Sequence, residues 1–134
     1  MPAHLTLFSH LPPSLGPELD RRLARLVARA APRARIAGVM DLDGGTAFRI
    51  DSAELEDIRA ELADAFEGLL TPPDRAPWQP HVTIQNKVEP REARRLQDRL
   101  RGEFQPRSLA IRGLATWIYA DGALDPLKRY MFRG

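Results

Sequence analysis

The sequence predicts one α+β domain whose strands pair antiparallel, and three features indicate this class. The 134 residues are a common length for a single domain, and no linker divides them. Segments with apolar residues at helical spacing alternate along the chain with short strand-like segments. Turn sequences such as Asp43-Gly44-Gly45 join neighbouring strands directly, and strands joined by so short a turn run antiparallel.

The first half of the chain is predicted to hold a strand, a helix, a hairpin and a second helix. Residues 5–8 have the apolar content of a strand, and Pro17 suits the first turn of the helix that follows. The apolar face of this helix contains Leu19, Leu23, Leu26, Val27 and Ala30. Segments 36–42 and 46–50 flank the Asp-Gly-Gly turn as a hairpin. Asp51 and Ser52 begin the second helix, whose apolar stripe contains Leu55, Ile58, Leu62, Phe66 and Leu69.

The second half is predicted to hold a loop, a strand, a third helix and a terminal hairpin. Four prolines within 71–80 predict a loop, because proline suits neither a helix interior nor a central strand. A strand that starts at His81 follows, and Pro90 then opens a helix that ends near Gly102. Segments 109–120 and 127–132 flank Asp121-Gly122 and predict a long hairpin.

Composition limits the classes of protein and of chemistry. The chain contains no cysteine, which excludes disulfides, thiolate nucleophiles and zinc ribbons and agrees with a reducing compartment. No apolar stretch is long enough to span a membrane, and the N-terminus lacks the layout of a signal peptide. We therefore expect a cytoplasmic protein without a membrane partner.

Positive charge is spread along the chain and does not form one block. The net charge is +2 and the pI is near 9.5, and most arginines stand beside Asp or Glu. This pattern is typical of solvated helix faces. A dedicated nucleic-acid stripe is therefore not predicted, although a short phosphate-bearing ligand needs far fewer cations.

The most informative feature is a repeated pattern of residue chemistry. His4-Leu5-Thr6-Leu7 and His81-Val82-Thr83-Ile84 both have the order His, apolar, Thr, apolar, and each falls on a predicted strand. Side chains alternate faces along a strand, so each His and its Thr project from the same side, about 7 Å apart. A single strand His or Thr is most often structural or on the surface. The duplication is what indicates a functional site.

Two histidines and two hydroxyls meet the needs of phosphodiester hydrolysis. One group must take a proton from the attacking water and another must protonate the departing alkoxide, and imidazole performs either role near neutral pH. The Thr6 and Thr83 hydroxyls would donate hydrogen bonds to the nonbridging oxygens, where charge grows. We therefore expect His4, Thr6, His81 and Thr83 to be catalytic, with no metal and no cofactor.

Further residues of the predicted strands and loops are candidates for binding a phosphate-bearing ligand: Lys87, Gln85, Phe8, Trp78 and Tyr119. Gln85 and Lys87 share the predicted face of His81, and Phe8 shares that of His4. The aromatic candidates are able to stack a base. Each also has a plainer interpretation, which is a solvated strand end for Lys87 and core packing for the aromatic residues.

Other catalytic signatures are absent from the sequence. There is no GxxxxGK phosphate loop and no GxSxG elbow, and the three histidines do not stand at metal-ligand spacing. The main alternative to an enzyme is a noncatalytic module that binds the same class of ligand. Such a module would bind without turnover, so a hydrolysis assay separates the two.

The two repeated segments, with their flanks in 2–8 and 78–84, resemble the HxTx signatures of the 2H phosphoesterases. They resemble in particular those of the bacterial 2'-5' RNA ligase family, which includes RNA 2',3'-cyclic phosphodiesterases, and segment 114–132 is similar to its closing strands. The resemblance implies two lobes, with antiparallel sheets around a central cleft, helices outside and one HxTx strand from each lobe. It implies opening of a cyclic phosphate to a 2'-phosphate, with reversible 2'-5' ligation as a related activity. It also implies that His4 donates and His81 accepts a proton.

Members of this family normally have a strand and a helix ahead of the first motif, whereas His4 is the fourth residue here. The sequence therefore looks shortened at its N-terminus relative to the family. A strand so near a chain end frays unless it is tied down. We expect it to be completed by a second copy of the chain, as a homodimer, or by the terminal hairpin around Trp117 and Tyr130.

Overall fold

A computed structural model describes residues 3–120 and 122–133 of the chain. Its contacts divide into two compact units. The first contains Met1–Leu11, as far as that segment is described, and Arg33–Leu109. The second contains Pro12–Pro32 and the described part of Ala110–Gly134. Each unit has its own sheet and at least one helix, which confirms the predicted α+β class.

In chain order the elements are a 3-10 turn (Pro13–Leu15), α1 (Gly16–Leu26), β1 (Arg33–Asp41), β2 (Thr46–Asp51), α2 (Ala53–Ala65), α3 (Pro72–Arg75), β3 (His81–Gln85), α4 (Pro90–Glu103), β4 (Arg107–Ala110), β5 (Gly113–Ala120) and β6 (Ala123–Met131). The first unit is built on a four-stranded sheet of order β3-β2-β1-β4. β2 pairs antiparallel with β1 on one side and with β3 on the other. Phe48 lies opposite both Val39 and Val82, so these apolar side chains share one face.

A tight turn joins β1 to β2, as the Asp-Gly-Gly sequence predicts. Asp43 and Gly44 have positive φ angles of 56° and 106°, and the Leu42 amide donates to the Gly45 carbonyl at 3.0 Å. Gly45 lies against the end of β3, where a Cβ atom would overlap the Gln85 carbonyl oxygen. The close approach of two backbones therefore requires glycine at position 45.

The helix α2 begins where the sequence predicts and supplies much of the first unit's core. The Ser52 hydroxyl accepts from the Leu55 amide at 3.1 Å and donates to the Arg33 carbonyl at 2.6 Å, so it caps the helix and ties it to β1. The buried apolar side chains here are Leu55, Ile58, Leu62, Phe66, Ile36 and Ile50. Full burial of each such side chain contributes roughly 1.5–3 kcal/mol. No helix within residues 3–120 and 122–133 is long and apolar enough to cross a membrane.

A buried polar side chain joins α4 to the β1–β2 turn. Gln97 is 4% exposed, and its amide nitrogen donates to Asp41 Oδ1 at 3.1 Å and to the Gly45 carbonyl at 3.1 Å. It also lies 3.4 Å from the Thr46 hydroxyl. Because a buried amide without partners is costly, these bonds specify where α4 lies against the turn. No local sequence pattern singles out Gln97.

The second unit consists of α1 and the β5–β6 hairpin. Leu23 and Leu26 of α1 and Leu114 and Tyr130 of the hairpin are buried. Asp20 accepts from the Tyr130 hydroxyl at 2.6 Å and from Lys128 Nζ at 2.7 Å, and these bonds lower the pKa of its carboxyl. Burial, together with the hydrogen bond to Asp20, raises the pKa of Tyr130 to about 12.

Predicted elements differ from the observed ones in several places. The first two helices end at Leu26 and Ala65, before Ala30 and Leu69 of their predicted apolar faces, and Leu69 is 49% exposed. Residues 5–8 do not form a strand, since only Leu5 makes an isolated bridge. The proline-rich segment 71–80 contains the short helix α3, because proline is tolerated in a first turn whose amides have no intrahelical partner. The predicted strand 109–120 is two strands: β4 joins the first sheet, and β5 pairs with β6. Of the predicted Asp121-Gly122 turn, Asp121 lies outside the described residues, and Gly122 has a φ of 77°.

The predicted completion of the first strand by the terminal hairpin is wrong. Among the described residues β5 and β6 pair only with each other, and Leu5 bridges to β3. Completion by a second copy of the chain stays a prediction.

Replacement of Gly45 by alanine tests the close approach of β2 and β3. We expect Gly45→Ala to lower the free energy of unfolding by about 1–3 kcal/mol, because the added methyl group meets backbone that cannot give way. Gly102→Ala is the matched control, since its Cβ meets nothing within 4 Å and alanine favours the helix by up to about 1 kcal/mol. Urea unfolding measures both. Equal stability of the two variants would contradict the close approach.

Candidate active site

The two His-x-Thr segments lie side by side. Leu5 forms an antiparallel bridge to Val82, on the edge of β3 that is not paired with β2. In this register His4 is opposite Thr83, and Thr6 is opposite His81. Residues on either side of the Leu5–Val82 pair point to the face opposite to it. The bridge therefore brings all four predicted catalytic side chains to one face, called the motif face below.

The spacing on the motif face suits a group the size of a phosphate. Side chains directly opposite each other have Cβ atoms about 4.5–5.5 Å apart, and diagonal ones about 7–8 Å. Each His is thus close to the Thr of the other segment, while His4 and His81 form a diagonal pair. His4, Thr6 and Thr83 are exposed and His81 is half-buried. Two imidazoles placed in this way are able to flank one ligand that enters from solvent.

One ring nitrogen of His81 is already engaged. His81 Nδ1 lies 2.7 Å from the Gln79 carbonyl oxygen. A carbonyl oxygen only accepts, so Nδ1 must carry the proton of this bond. In the neutral ring the Nε2 atom then has the free lone pair. This arrangement prepares His81 Nε2 to accept a proton.

The segment that carries His4 is anchored by side chains in place of strand pairing. Asp74 is 4% exposed, and its two carboxylate oxygens accept from the Ser9 and His10 amides, each at 2.9 Å. The Trp78 indole nitrogen donates to the Thr6 carbonyl at 3.0 Å. These bonds satisfy backbone groups that a neighbouring strand would otherwise pair.

Arg59 completes this anchor. Its guanidinium donates to the Leu7 carbonyl at 3.0 Å and to the Asp74 carbonyl at 2.7 Å. It also lies over the Phe8 ring, 4.2 Å from the centroid. Burial lowers its pKa, and the nearby Asp74 charge acts in the opposite direction. Sequence reasoning missed both Arg59 and Asp74, because a charged residue on a helix gives no signal that its partner lies 15 or more residues away.

A further cation adjoins His81 on the motif face. Arg49 of β2 is the register partner of His81, so the two side chains share a face. Its guanidinium donates to Asp51 Oδ1 at 2.7 Å and to the Ala37 carbonyl at 3.3 Å, and its side chain stays 52% exposed. Two of its five N–H donors are used, which leaves others for an anion. No local sequence pattern points to Arg49, because only the strand register places it beside His81.

A concave pocket opens next to these residues. It has a volume of about 530 Å³, and its walls include Met40, Arg49, Asp51, Glu56, Trp78 and Pro80. Gln79 and Pro80, the two residues before His81, both contribute. The pocket is thus continuous with the start of β3, where the second motif begins.

The five predicted substrate contacts have different surroundings. Trp78 lies in the pocket wall and Phe8 lies under Arg59. Gln85 Oε1 accepts from the Thr46 hydroxyl at 3.2 Å, beyond a register shift in β2 and β3. Lys87 follows the end of β3 with a φ of 55°, so it is not on the strand face as predicted. Tyr119 belongs to β5 of the second unit and is 72% exposed.

The distribution of the motifs between the lobes differs from the expectation. Both His-x-Thr segments belong to the first unit, so each lobe does not contribute one motif. The bridge between Leu5 and Val82 is the physical reason, because it incorporates the N-terminal segment into the first unit. Within the described residues, no group of three or more histidine or carboxylate side chains is placed to hold a metal ion.

The two His-x-Thr segments that share the motif face are the ones that resemble the signatures of the 2H phosphoesterases. The model of the 2'-5' RNA ligase superfamily matches residues 1–123. The chain therefore belongs to the 2'-5' RNA ligase superfamily. A comparison with curated proteins gives no match.

Asp74→Asn tests the anchor of the first motif. An asparagine has one acceptor oxygen, and its NH₂ group would face an amide donor, so one of the two bonds from Ser9 and His10 is lost. We expect amide hydrogen exchange at residues 5–10 to accelerate at least tenfold, while residues 53–65 of α2 keep their rates. Asp57→Asn, an exposed change on α2, is the control. Unchanged exchange at residues 5–10 would show that the carboxylate does not hold the segment.

Proposed function

We propose that the chain is a metal-independent phosphodiesterase that opens RNA-type 2',3'-cyclic phosphates to 2'-phosphates by two-histidine general acid–base catalysis. The observation that carries this proposal is the Leu5–Val82 register, which puts His4, Thr6, His81 and Thr83 on one face. Membership of the 2'-5' RNA ligase superfamily supports a phosphodiester of RNA as the substrate.

The proposed step is a displacement at phosphorus. A water oxygen attacks the phosphorus atom while His81 Nε2 takes the proton of that water. The bond from phosphorus to O3' breaks, and His4, protonated at the start, gives its proton to O3'. The products are a 2'-phosphate and a free 3'-hydroxyl, and proton exchange with solvent restores both imidazoles. The Nδ1 bond of His81 to the Gln79 carbonyl supports the assignment of His81 as the base.

Three further groups would stabilise the charge that grows on the nonbridging oxygens. Thr6 and Thr83 each supply a hydroxyl donor beside the opposite histidine, and Arg49 supplies a cation beside His81. Donors held in place before the reaction stabilise the transition state without reorganising. The tie of Arg49 to Asp51 and to the Ala37 carbonyl supports this role, because it limits the positions that the guanidinium adopts.

The same arrangement suits ligation. If the 5'-hydroxyl of a second RNA replaces water, attack on the cyclic phosphate and loss of O3' give a 2'-5' phosphodiester.

We infer that the protein is cytoplasmic and that it acts on RNA ends or on small cyclic nucleotides. A noncatalytic module that binds the same ligands is the alternative, and it is favoured only by the exposure of the motif face. Analysis of products by phosphorus NMR distinguishes them, since only the enzyme converts a cyclic phosphate to a 2'-phosphate.

Removal of the imidazoles tests the mechanism. We expect His4→Ala and His81→Ala each to lower kcat by about 10²–10⁴-fold. The double variant should be little slower than either, since groups that act in one step are strongly non-additive. Thr6→Val and Thr83→Val should cost about tenfold to a thousandfold each. The assay contains excess chelator. Near wild-type turnover without both imidazoles, or loss of activity that only zinc or manganese restores, would refute the mechanism.

Arg49→Gln tests the additional cation. We expect kcat/KM to fall about tenfold to a thousandfold, as for loss of one donor to the transition state, while the urea midpoint changes little because the Arg49–Asp51 pair is exposed. Arg94→Gln, an exposed arginine on α4, is the control and should keep the wild-type rate. A rate for Arg49→Gln within twofold of wild type would exclude contact with the phosphate.

A further inference from the structure

The pocket beside His81 is placed to receive the part of a substrate next to the phosphate. Arg49 borders the pocket and is the register partner of His81. Met40 and Asp51 also border it, and both lie on the motif face, since Met40 pairs with Ala47 and Asp51 is two residues beyond Arg49. A ligand whose phosphate lay between the histidines would therefore have this pocket beside it.

The shape and walls of the pocket suit a nucleobase. Its volume of about 530 Å³ lies within the usual range for small-molecule sites, about 300–1,000 Å³. Trp78, Pro80 and Met40 give apolar wall area, and a flat aromatic base stacks well on an indole. The bond from the Trp78 indole to the Thr6 carbonyl holds this ring in place. The wall is thus formed before a ligand enters.

The charge in the pocket opposes a second phosphate. Arg49 is the cation, and Asp51 neutralises it at 2.7 Å. Glu56, in the first turn of α2, adds a second carboxylate to the wall. Within residues 3–120 and 122–133 its carboxylate has no ion-pair partner. The net charge of the pocket is therefore negative, which disfavours an anion and favours a ligand edge rich in hydrogen-bond donors.

We propose that this pocket is a guanine-binding subsite and that Glu56 reads the base. Guanine presents two adjacent donors, N1–H and the N2 amino group, and a carboxylate accepts both in parallel through its two oxygens. Adenine and cytosine each place an acceptor beside their amino group, and uracil has one N–H between two carbonyls, so none matches a carboxylate. The inference rests on the proposed function for the position of the phosphate, and it adds a preference for guanosine 2',3'-cyclic phosphate.

Substrate comparison tests the subsite. kcat/KM is measured with the 2',3'-cyclic phosphates of guanosine, adenosine, cytidine, uridine and inosine. We expect guanosine to exceed uridine by about tenfold to a hundredfold, as for one bidentate contact to a base edge. Inosine keeps N1–H and lacks the amino group, so its value should lie between them. Equal values for all five would overturn the proposal.

Glu56→Gln identifies the residue responsible. An amide keeps one acceptor and puts a donor against the base, so the ratio of kcat/KM for guanosine over uridine should fall at least tenfold. Asp57→Asn, the neighbouring exposed carboxylate outside the pocket wall, should keep the wild-type ratio. An unchanged ratio in Glu56→Gln would overturn the assignment. If an added 5'-phosphate raised kcat/KM equally for all bases, the pocket would be an anion subsite. That result would also overturn the assignment of a guanine subsite.

Equilibrium binding separates this proposal from the proposed function. Calorimetry with the 2'-monophosphates of guanosine and uridine needs no turnover, so it reports on the subsite even if no cyclic phosphate is hydrolysed. Tighter binding of the guanosine compound, lost in Glu56→Gln, would support the subsite whatever the outcome of the hydrolysis assay. If the protein hydrolyses cyclic phosphates but binds both monophosphates equally, the proposed enzymatic activity would stand. The proposed guanine subsite would be overturned.

Discussion

The site depends on the antiparallel bridge between Leu5 and Val82. Because side chains alternate along extended backbone, this one register decides which face each His and Thr occupies. A slip of one residue would send His4 and Thr6 to the face that Phe48 and Val82 share, opposite to His81 and Thr83. The two apolar residues between the motif positions therefore have a structural function. They pair on the face that Phe48 shares and are half-buried there, and they thereby turn the polar residues to the opposite face.

A bridge of one residue pair is too little to hold a chain end in place, and the anchor around Asp74 supplies the rest. Asp74, Arg59 and Trp78 bond to four backbone groups of residues 6–10. The half-buried Arg59 guanidinium donates to two carbonyl oxygens and lies over the Phe8 ring, which offsets its partial loss of water. Long-range side-chain bonds therefore perform the role that a neighbouring strand performs in an ordinary sheet. Residues 5–8 therefore have only the isolated bridge at Leu5 and no continuous row of backbone hydrogen bonds to a neighbouring strand.

The sheet also decides which other residues belong to the site. Arg49 and Asp51 come from β2, which has neither motif, yet the pairing of β2 with β3 puts Arg49 beside His81. The capping of α2 by Ser52 then places Glu56 at the pocket wall, one turn into the helix. The proposed catalytic groups and the candidate base-reading group thus come from elements of one compact unit. Such a scaffold would hold a bound phosphate and its base at a constant separation, which the proposed reading of the base during the reaction requires.

The sequence by itself determined the features that depend on local chemistry. These features are the repeated His-x-Thr pattern, the Asp-Gly-Gly turn, the Ser52 cap and the apolar stripes of the helices up to the last turn of each. All depend on residues within a few positions, so their periodicity and turn propensity are visible in one dimension. Other features depend on pairs of residues that are 32 to 77 positions apart, and no local pattern encodes them. They are the register of Leu5 with Val82, the position of Arg49 beside His81 and the bond from Ser9 to Asp74. The strand predicted for residues 5–8 was wrong for the same reason, since Asp74, Arg59 and Trp78 satisfy its backbone from a distance. Likewise, the segment 109–120 has strand propensity throughout, but only tertiary pairing decides that β4 joins β1 and that β5 joins β6. The physical reason is that propensity describes the backbone conformation of a residue and does not specify the strand with which it pairs.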